Sequence, residues 1–255
     1  MATSSQSIQI SLSVVSHGQP ELLQRLLMSL QQHQPTAIEL IITANLPNSL
    51  PHSLDFIDSR RLPFPVHIIH NSQPRGFAAN HNMAFQQAQG EWFCILNPDI
   101  QLIHDPFPVL LAQFKIVNNL GIIAPQVINA IGQLEDSARA FPTPWSLFKK
   151  VLGINRDRTH LARQLLLNPN SEVDWVAGMF MLIPRAVFSA VAGFDERYHL
   201  YYEDVDLCAR IRQAGWGIIV TSHATVVHHA QRSSHRHWRY LIWHVTSLLR
   251  FLRQH

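Results

Sequence analysis

Residues 10–43 read ISLSVVSHGQPELLQRLLMSLQQHQPTAIELIIT, and the hydrophobic pattern changes period twice within them. ISLSVV (10–15) is a β-branched apolar run with the length of a buried strand. ELLQRLLMSLQQH (21–33) places Leu22, Leu23, Leu26, Leu27 and Leu30 on one face of a helix, which Pro35 stops. IELIIT (38–43) returns to strand. Downstream the alternation continues. VHIIH (66–70) reads as a third strand, GFAANHNMAFQQAQ opens at Gly76 and becomes helical, and EWFCIL (91–96) reads as a fourth strand ending at Asn97-Pro98-Asp99. Strands that alternate with helices predict an α/β domain whose mostly parallel central sheet carries helices on both faces. Ligands of such sheets bind beyond the carboxyl ends of the strands, which is where the Gly76 and Asp99 segments fall.

The second half is less regular. PFPVLLAQFKIV predicts a helix and LGIIAPQVIN a strand with a turn. Residues 132–172 have little period-2 pattern and read as a long excursion with a short helix or two, the kind of segment that forms a lid. Its arginines, Arg139, Arg156, Arg158 and Arg163, could close over a ligand or simply be solvated surface. VDWVAGMFMLIP (173–184) predicts a strand, RAVFSAVAG a short helix ended by Gly193, and EDVDLCARIRQA (203–214) a helix ended by Gly215. WGIIVT predicts another strand. The tail HWRYLIWHVTSLLRFLRQ predicts an amphipathic helix with Trp238, Leu241, Ile242, Val245, Leu248, Leu249 and Leu252 on one face.

Composition narrows the classes. A chain of 255 residues that is 47% hydrophobic and 15% charged can bury a substantial core, which argues against global disorder. A net charge of +3 is too small for a dedicated nucleic-acid binder but suits phosphate groups or an anionic surface. Cys94 and Cys208, the only two cysteines, each lie in an apolar stretch and read as buried free thiols. The start MATSSQSIQI lacks the basic and apolar regions of a signal peptide, and no apolar run spans a bilayer. The expected location is therefore the cytoplasm.

Three clusters could carry chemistry. Asn97-Pro98-Asp99 puts a carboxylate at a strand end, where it can hold a hard divalent cation; the same tripeptide is also good turn chemistry. Glu203-Asp204-x-Asp206 crowds three acids into four positions, which is costly unless a cation, a ligand or a helix N-terminus compensates; acidic capping explains one or two of them. His228-His229 offers imidazole ligands, against a background of sixteen histidines in the chain.

Together these stretches resemble the inverting glycosyltransferases of family 2, and most closely the bacterial rhamnosyltransferase and galactofuranosyltransferase-like branch. The resemblance runs from about residue 10 to 250. It is carried by SLSVVSHGQPELLQRLLMSL, PRGFAANHNMAF, FCILNPDI, SARAFPTPW and VVHHAQRSS, and above all by VDWVAGMFMLIPRAVFSAVAGFDERYHLYYEDVDLCARIRQAGW. It implies a GT-A fold: a Rossmann-like, mostly parallel sheet flanked by helices. One domain would fill residues 1–255, with a nucleotide-binding half (8–100), an acceptor and catalytic half (101–230) and a C-terminal helix (235–253). By the same resemblance, Asp99 would ligate Mg²⁺ or Mn²⁺, with His228 as the later ligand and Asn97 where many relatives carry a first aspartate. Asp204 would be the general base, Glu203 would orient the acceptor, and Asp206 would support the helix start. Asn45, Gly76 and Asn82 would lie by the donor, and Trp175, Gly178 and Tyr202 would border the donor-sugar and acceptor pocket. Two positions depart from the family pattern: Ala44-Asn45 stands for an Asp-Asn pair, and Pro74 for an asparagine.

The resemblance further implies a nucleotide-diphosphate sugar donor, of rhamnose or another hexose, and a carbohydrate or lipid-linked glycan acceptor in cell-surface polysaccharide synthesis, with no nucleic acid involved. The C-terminal helix could rest peripherally on the inner face of the membrane, or pack on the catalytic domain or a second copy in a homodimer. The alternative is a non-catalytic nucleotide-sugar-binding relative, favoured by Ala44 and Pro74 and opposed by Asp99 and the Glu203-Asp204 pair. A nucleotidyltransferase is disfavoured, because SVVSHGQPELL lacks the lysine of a phosphate loop.

Overall fold

A computed structural model describes residues 8–47, 62–143, 145, 160–229 and 238–255. In chain order the elements are β1 (Ile10–Ser16), α1 (Pro20–His33), β2 (Ile38–Ala44), β3 (Val66–His70), α2 (Phe77–Gln87), β4 (Trp92–Leu96), β5 (Ile100–Leu102), α3 (Phe107–Ile116) and β6 (Leu120–Asn129). Then follow β7 (Ala138–Arg139), α4 (His160–Leu167), β8 (Asn170–Glu172), β9 (Trp175–Val176), β10 (Phe180–Pro184), α5 (Arg185–Ala190), α6 (Glu203–Gln213), β11 (Gly217–His228) and α7 (Trp238–Gln254).

The first strand–helix–strand unit folds as its pattern predicts. Pro20 opens α1, where its missing N–H costs nothing, and Gln34 ends it in the left-handed region at φ 43°. The five leucines of its apolar face are all buried. β1 and β2 pair in parallel, and every residue of β2 is buried, as expected of a strand covered on both faces.

The main sheet runs β3-β2-β1-β4-β10-β6-β11-β5, with β8 also paired to β11. β3, β2, β1, β4, β6 and β11 point one way, while β10, β5 and β8 run against them. The sheet is therefore mixed but mostly parallel. Alternation along β4 shows how it is covered. Cys94 and Leu96 join a core with α1 and α3, whereas Phe93 and Ile95 join a second core with α2, α5 and α6. Cys94 and Cys208 belong to these opposite cores and stay free.

Three local expectations need correction. Residues 173–184 form two strands rather than one, because the chain bends at Ala177-Gly178-Met179: a Cβ on Gly178 would lie 2.9 Å from the Phe77 ring. The strand expected at WGIIVT starts at Gly217 and runs on to His228 as one long strand, β11, which absorbs a register shift between Thr221 and Thr225. The stripe of α7 faces the wrong way for packing: Trp238, Leu241, Ile242, Val245 and Leu249 are exposed, while Ser247 and Phe251 are buried. Within the 132–172 excursion, β7, α4 and β8 are formed. Arg156 and Arg158 lie outside the described residues, as do residues 235–237 at the expected start of the C-terminal helix.

Two buried polar pairs tie β1 to β2 and α2. Ser11 Oγ donates to Glu39 Oε1 at 2.5 Å, and Ser13 Oγ lies 2.8 Å from His81 Nδ1. Burial pulls the His81 imidazole down to about pKa 3, so it is neutral in the fold. The unfolded chain takes up that proton below pH 6.5, so the contribution of His81 is full above 6.5 and is lost as pH falls towards 3. Between pH 7 and 5.5 the parent should lose about 1 kcal/mol more unfolding free energy than His81→Gln. Urea denaturation at the two pH values measures this, and equal losses would contradict it.

Candidate active site

The carboxyl ends of the parallel strands converge along one edge of the sheet. Because β10 runs antiparallel to its neighbours, its N-terminal approach, Gly178-Met179, meets the same edge. Asp99, Glu135, Gly178 and His228 all belong to strand ends or loops of this edge.

The pairing of β5 with β11 sets the first contact. The ladder matches His228 with Ile100, which brings the imidazole beside the preceding residue, Asp99. His228 Nε2 lies 3.1 Å from Asp99 Oδ2, and the His229 N–H donates to the Asp99 carbonyl at 2.8 Å. On its other side, His228 Nδ1 lies 2.7 Å from Glu135 Oε2. Burial alone would lower the His228 pKa, but the Asp99 and Glu135 carboxylates outweigh it and raise it to about 9. The His229 side chain turns instead to Gln101 Oε1, at 2.7 Å.

This pair suits a divalent cation. Asp99 Oδ1 is buried without a hydrogen-bond partner, a costly state for a carboxylate oxygen that a cation would relieve. The carboxylate oxygen suits Mg²⁺ or Mn²⁺, and the imidazole nitrogen, once deprotonated, suits the transition metal Mn²⁺ better than Mg²⁺. Among the described residues, no group of three His, Cys, Asp or Glu side chains is placed to hold a metal ion. Two protein donors would leave the remaining positions to phosphate oxygens and water, as Mg²⁺ commonly prefers. Asn97 contributes through its main chain, its N–H donating to the Met179 carbonyl at 2.9 Å.

That bond ties the Asp99 turn to the acidic cluster. Next to Met179, the Gly178 N–H donates to Asp204 Oδ2 at 3.1 Å, and the Val205 N–H donates to Asp204 Oδ1 at 2.8 Å. Asp204 is partly exposed; Glu203, at 5% exposure, is enclosed, and its Oε2 has no partner. Burial, and then the neighbouring Asp204 charge, pushes the Glu203 carboxyl well above its usual range. Burial also raises Asp204, opposed by its backbone donors and by Arg139. Burial thus favours the proton on enclosed Glu203 and the charge on Asp204, which faces donors. Directly before them, Tyr201 and Tyr202 occupy the left-handed region at φ 69° and 67°. Two bulky residues in succession there are costly, and such strain clusters at functional sites. The Tyr202 ring leans on α7, 5.3 Å from His244 and 5.8 Å from Phe251.

The third acid has a structural role. Asp206 bonds Arg210 Nε at 2.8 Å and His255 Nε2 at 2.9 Å, tying α6 to the end of α7. Trp175 on β9 pairs with Arg139 on β7, whose guanidinium lies 5.8 Å from the indole centroid. Trp175 Nε1 donates to the Ala140 carbonyl at 3.1 Å.

The expected donor-side residues spend their polar groups on the protein. Asn45 Oδ1 accepts from the Arg75 N–H and from Asn71 Nδ2, both at 2.8 Å, and Asn45 Nδ2 donates to the Arg75 carbonyl at 2.9 Å. Asn71 Nδ2 also donates to Asn80 Oδ1 at 2.7 Å. This chain of amides fixes the 71–76 loop over the ends of β1–β3. Asn82 pairs with both main-chain groups of Phe194 at 2.9 Å. A Cβ on Gly76 would lie 2.6 Å from the His199 carbonyl, so the close approach that Gly76 allows is to backbone.

Glu135, Asn71 and Asn80 were missed in the sequence. Glu135 lies in an irregular loop with no periodic signal. Asn71 had one: an asparagine directly follows each of β2, β3 and β4, at positions 45, 71 and 97.

Comparison with known proteins gives the family and the fold class. The profile of the family described as "Glycosyltransferase like family 2" matches residues 8–244. N-acetylglucosaminyl-diphospho-decaprenol L-rhamnosyltransferase of Mycobacterium tuberculosis is 35% identical over 154 residues, 57% of this chain and 49% of that protein. The chain thus spans about half the length of this relative. Rhamnosyltransferase WbbL of Escherichia coli K12 is 30% identical over 190 residues, 69% of this chain and 70% of that protein. Among solved structures, mannosyltransferase PcManGT from Pyrobaculum calidifontis in complex with GDP-Man and Mn²⁺ superposes with a TM-score of 0.65 at 14% identity, covering 96% of this chain and 65% of that one. That likeness establishes the fold class, a GT-A arrangement. On a profile that spans most of its length and a relative matched over two thirds of both chains, the protein belongs to the glycosyltransferase family 2-like proteins.

Proposed function

We propose that the protein is an inverting glycosyltransferase that moves a hexose, rhamnose in the first instance, from a nucleotide-diphosphate donor to a carbohydrate or lipid-linked glycan acceptor in cell-surface polysaccharide synthesis. It would act in the cytoplasm or at the inner face of the membrane. The observation that carries the reading is Asp204: a partly exposed carboxylate held by two backbone N–H groups, one hydrogen-bonded step from the turn that bears Asp99. The names of the two rhamnosyltransferase relatives favour the sugar.

Each Asp204 oxygen accepts one backbone N–H and keeps lone-pair capacity for a further proton. The acceptor hydroxyl gives its proton to Asp204 as its oxygen bonds to the anomeric carbon. The bond from that carbon to the diphosphate oxygen breaks on the opposite face, and configuration inverts. Burial of Asp204 raises its basicity towards what the step requires, and Glu203 keeps the charge on one carboxylate only. Asp99 and His228 would hold Mg²⁺ or Mn²⁺, with Asn97 beside them; the ion supplies positive charge against the leaving diphosphate. Glu135 would fix the tautomer and orientation of His228.

In this reading residues 8–100 form the donor half and residues 101–230 the acceptor half of one domain. Asn45, Gly76 and Asn82 shape the donor side by holding the 71–77 and 193–196 backbones. Trp175, Gly178 and Tyr202 border the acceptor and the donor sugar.

Asp204→Asn should bind nucleotide sugar as the parent does but turn over at least about 100-fold more slowly in a product-release assay. Full transfer by this variant would remove Asp204 from the role, and donor binding without transfer by the parent would favour the non-catalytic alternative. A thermal-shift panel of nucleotide sugars with and without Mn²⁺ should show stabilisation that requires the metal in the parent and is lost in Asp99→Asn. In metal-free protein, Glu135→Gln should lower the His228 pKa from about 9, as read by imidazole nitrogen NMR, because one of its two carboxylate partners loses its charge. An unchanged titration would break the His228–Glu135 assignment.

A further inference from the structure

α7 holds its apolar stripe outward. Trp238, Leu241, Ile242, Val245 and Leu249 are 43–69% exposed, and their i, i+3, i+4, i+7, i+11 spacing places them on one strip of helix surface. The helix is nonetheless anchored by its other face. The Trp243 ring lies 4.8 Å from His199, the His244 ring lies 5.3 Å from both Tyr201 and Tyr202, and Ser247 Oγ donates to the Leu200 carbonyl at 3.2 Å. Phe251 is buried against Tyr202. The exposed strip therefore rides on the same segment that leads into Glu203-Asp204.

Charge tells what covers it. α7 itself carries Arg239, Arg250 and Arg253 and neither Asp nor Glu. Beside the strip, Arg197, Arg250 and Arg253 line a shallow groove with Leu249; Arg197 is paired with Asp195, and the Arg250 guanidinium lies over the Tyr198 ring, 5.6 Å from its centroid. An apolar strip rimmed by arginine matches the boundary of an anionic bilayer, with side chains among the acyl chains and guanidinium groups at the phosphates. A second copy of the chain fits less well. Two-fold pairing of the strip would set arginine-lined grooves against each other, with no carboxylate on either helix to answer them. The helix does not cross the membrane: no helix among the described residues is long and apolar enough.

We propose that α7 seats the protein on an anionic phospholipid surface through Trp238, Leu241, Ile242, Val245 and Leu249. Seating there would turn the Tyr201–Asp204 segment towards acceptors carried in that membrane. This consequence rests on the transfer reaction proposed above; the lipid binding does not.

The test is flotation of the full chain with phosphatidylcholine vesicles, with and without phosphatidylglycerol. Binding should require phosphatidylglycerol and weaken at high salt. Leu241→Glu combined with Leu249→Glu should weaken it about tenfold or more, while the unfolding temperature and donor-induced thermal shift stay at parent values because both positions are exposed. No binding by the parent, or equal binding by the double variant, would overturn the proposal. So would sedimentation showing a parent dimer that the double variant converts to monomer, since a second copy would then cover the strip. Should the double variant unfold, Trp238→Ser alone gives the same readout. Transfer activity is measured separately with a soluble acceptor: its absence, with lipid binding intact, would count against the catalytic reading alone.

Discussion

Three residue pairs between β5 and the end of β11 set the geometry on which the site depends. The ladder turns two residues 129 positions apart into neighbours and points the His228 imidazole at the Asp99 carboxylate. The pairing belongs to the fold itself, so the position of His228 is set by the sheet register. Glu135, on the loop that leaves the adjacent strand β6, then closes the other imidazole nitrogen. In the proposed reaction, preorganisation of this kind would avoid rearrangement as charge develops on the diphosphate.

The antiparallel strand β10 does comparable work for the acid pair. Inserted between β4 and β6, it brings its N-terminal approach to the edge where the parallel strands end. There Met179 meets Asn97, and Gly178 meets Asp204. A fully parallel sheet would have sent that segment to the opposite edge. The break between β9 and β10 is thus the price of joining the Asp99 turn to the first turn of α6, and Gly178 permits it because any side chain there would strike Phe77.

Much of this was legible in the sequence. The first half was read nearly element by element, because buried parallel strands and one-sided helices leave unmistakable periods. The Asp99, Asp204 and His228 segments were likewise visible as polar groups at the ends of apolar runs. What escaped has physical reasons. Glu135 owes its position to tertiary placement of an irregular loop. Asn45 and Asn82 are expected beside the donor, and their amides hold backbone there; composition does not reveal which groups they bond. The period of α7 revealed a stripe but not its direction, because aromatic and histidine side chains on the other face supply the packing instead.

In the proposed reaction Asp99 and His228 would form one half of a cation site completed by a nucleoside diphosphate. A crystal structure with Mn²⁺ and a nucleoside diphosphate tests it most directly, through the anomalous signal of the metal. The expected result is one strong peak within bonding distance of an Asp99 carboxylate oxygen and His228 Nε2, beside the diphosphate, with Glu135 still on Nδ1. A peak elsewhere, or a diphosphate bound away from the ends of β4 and β11, would contradict it.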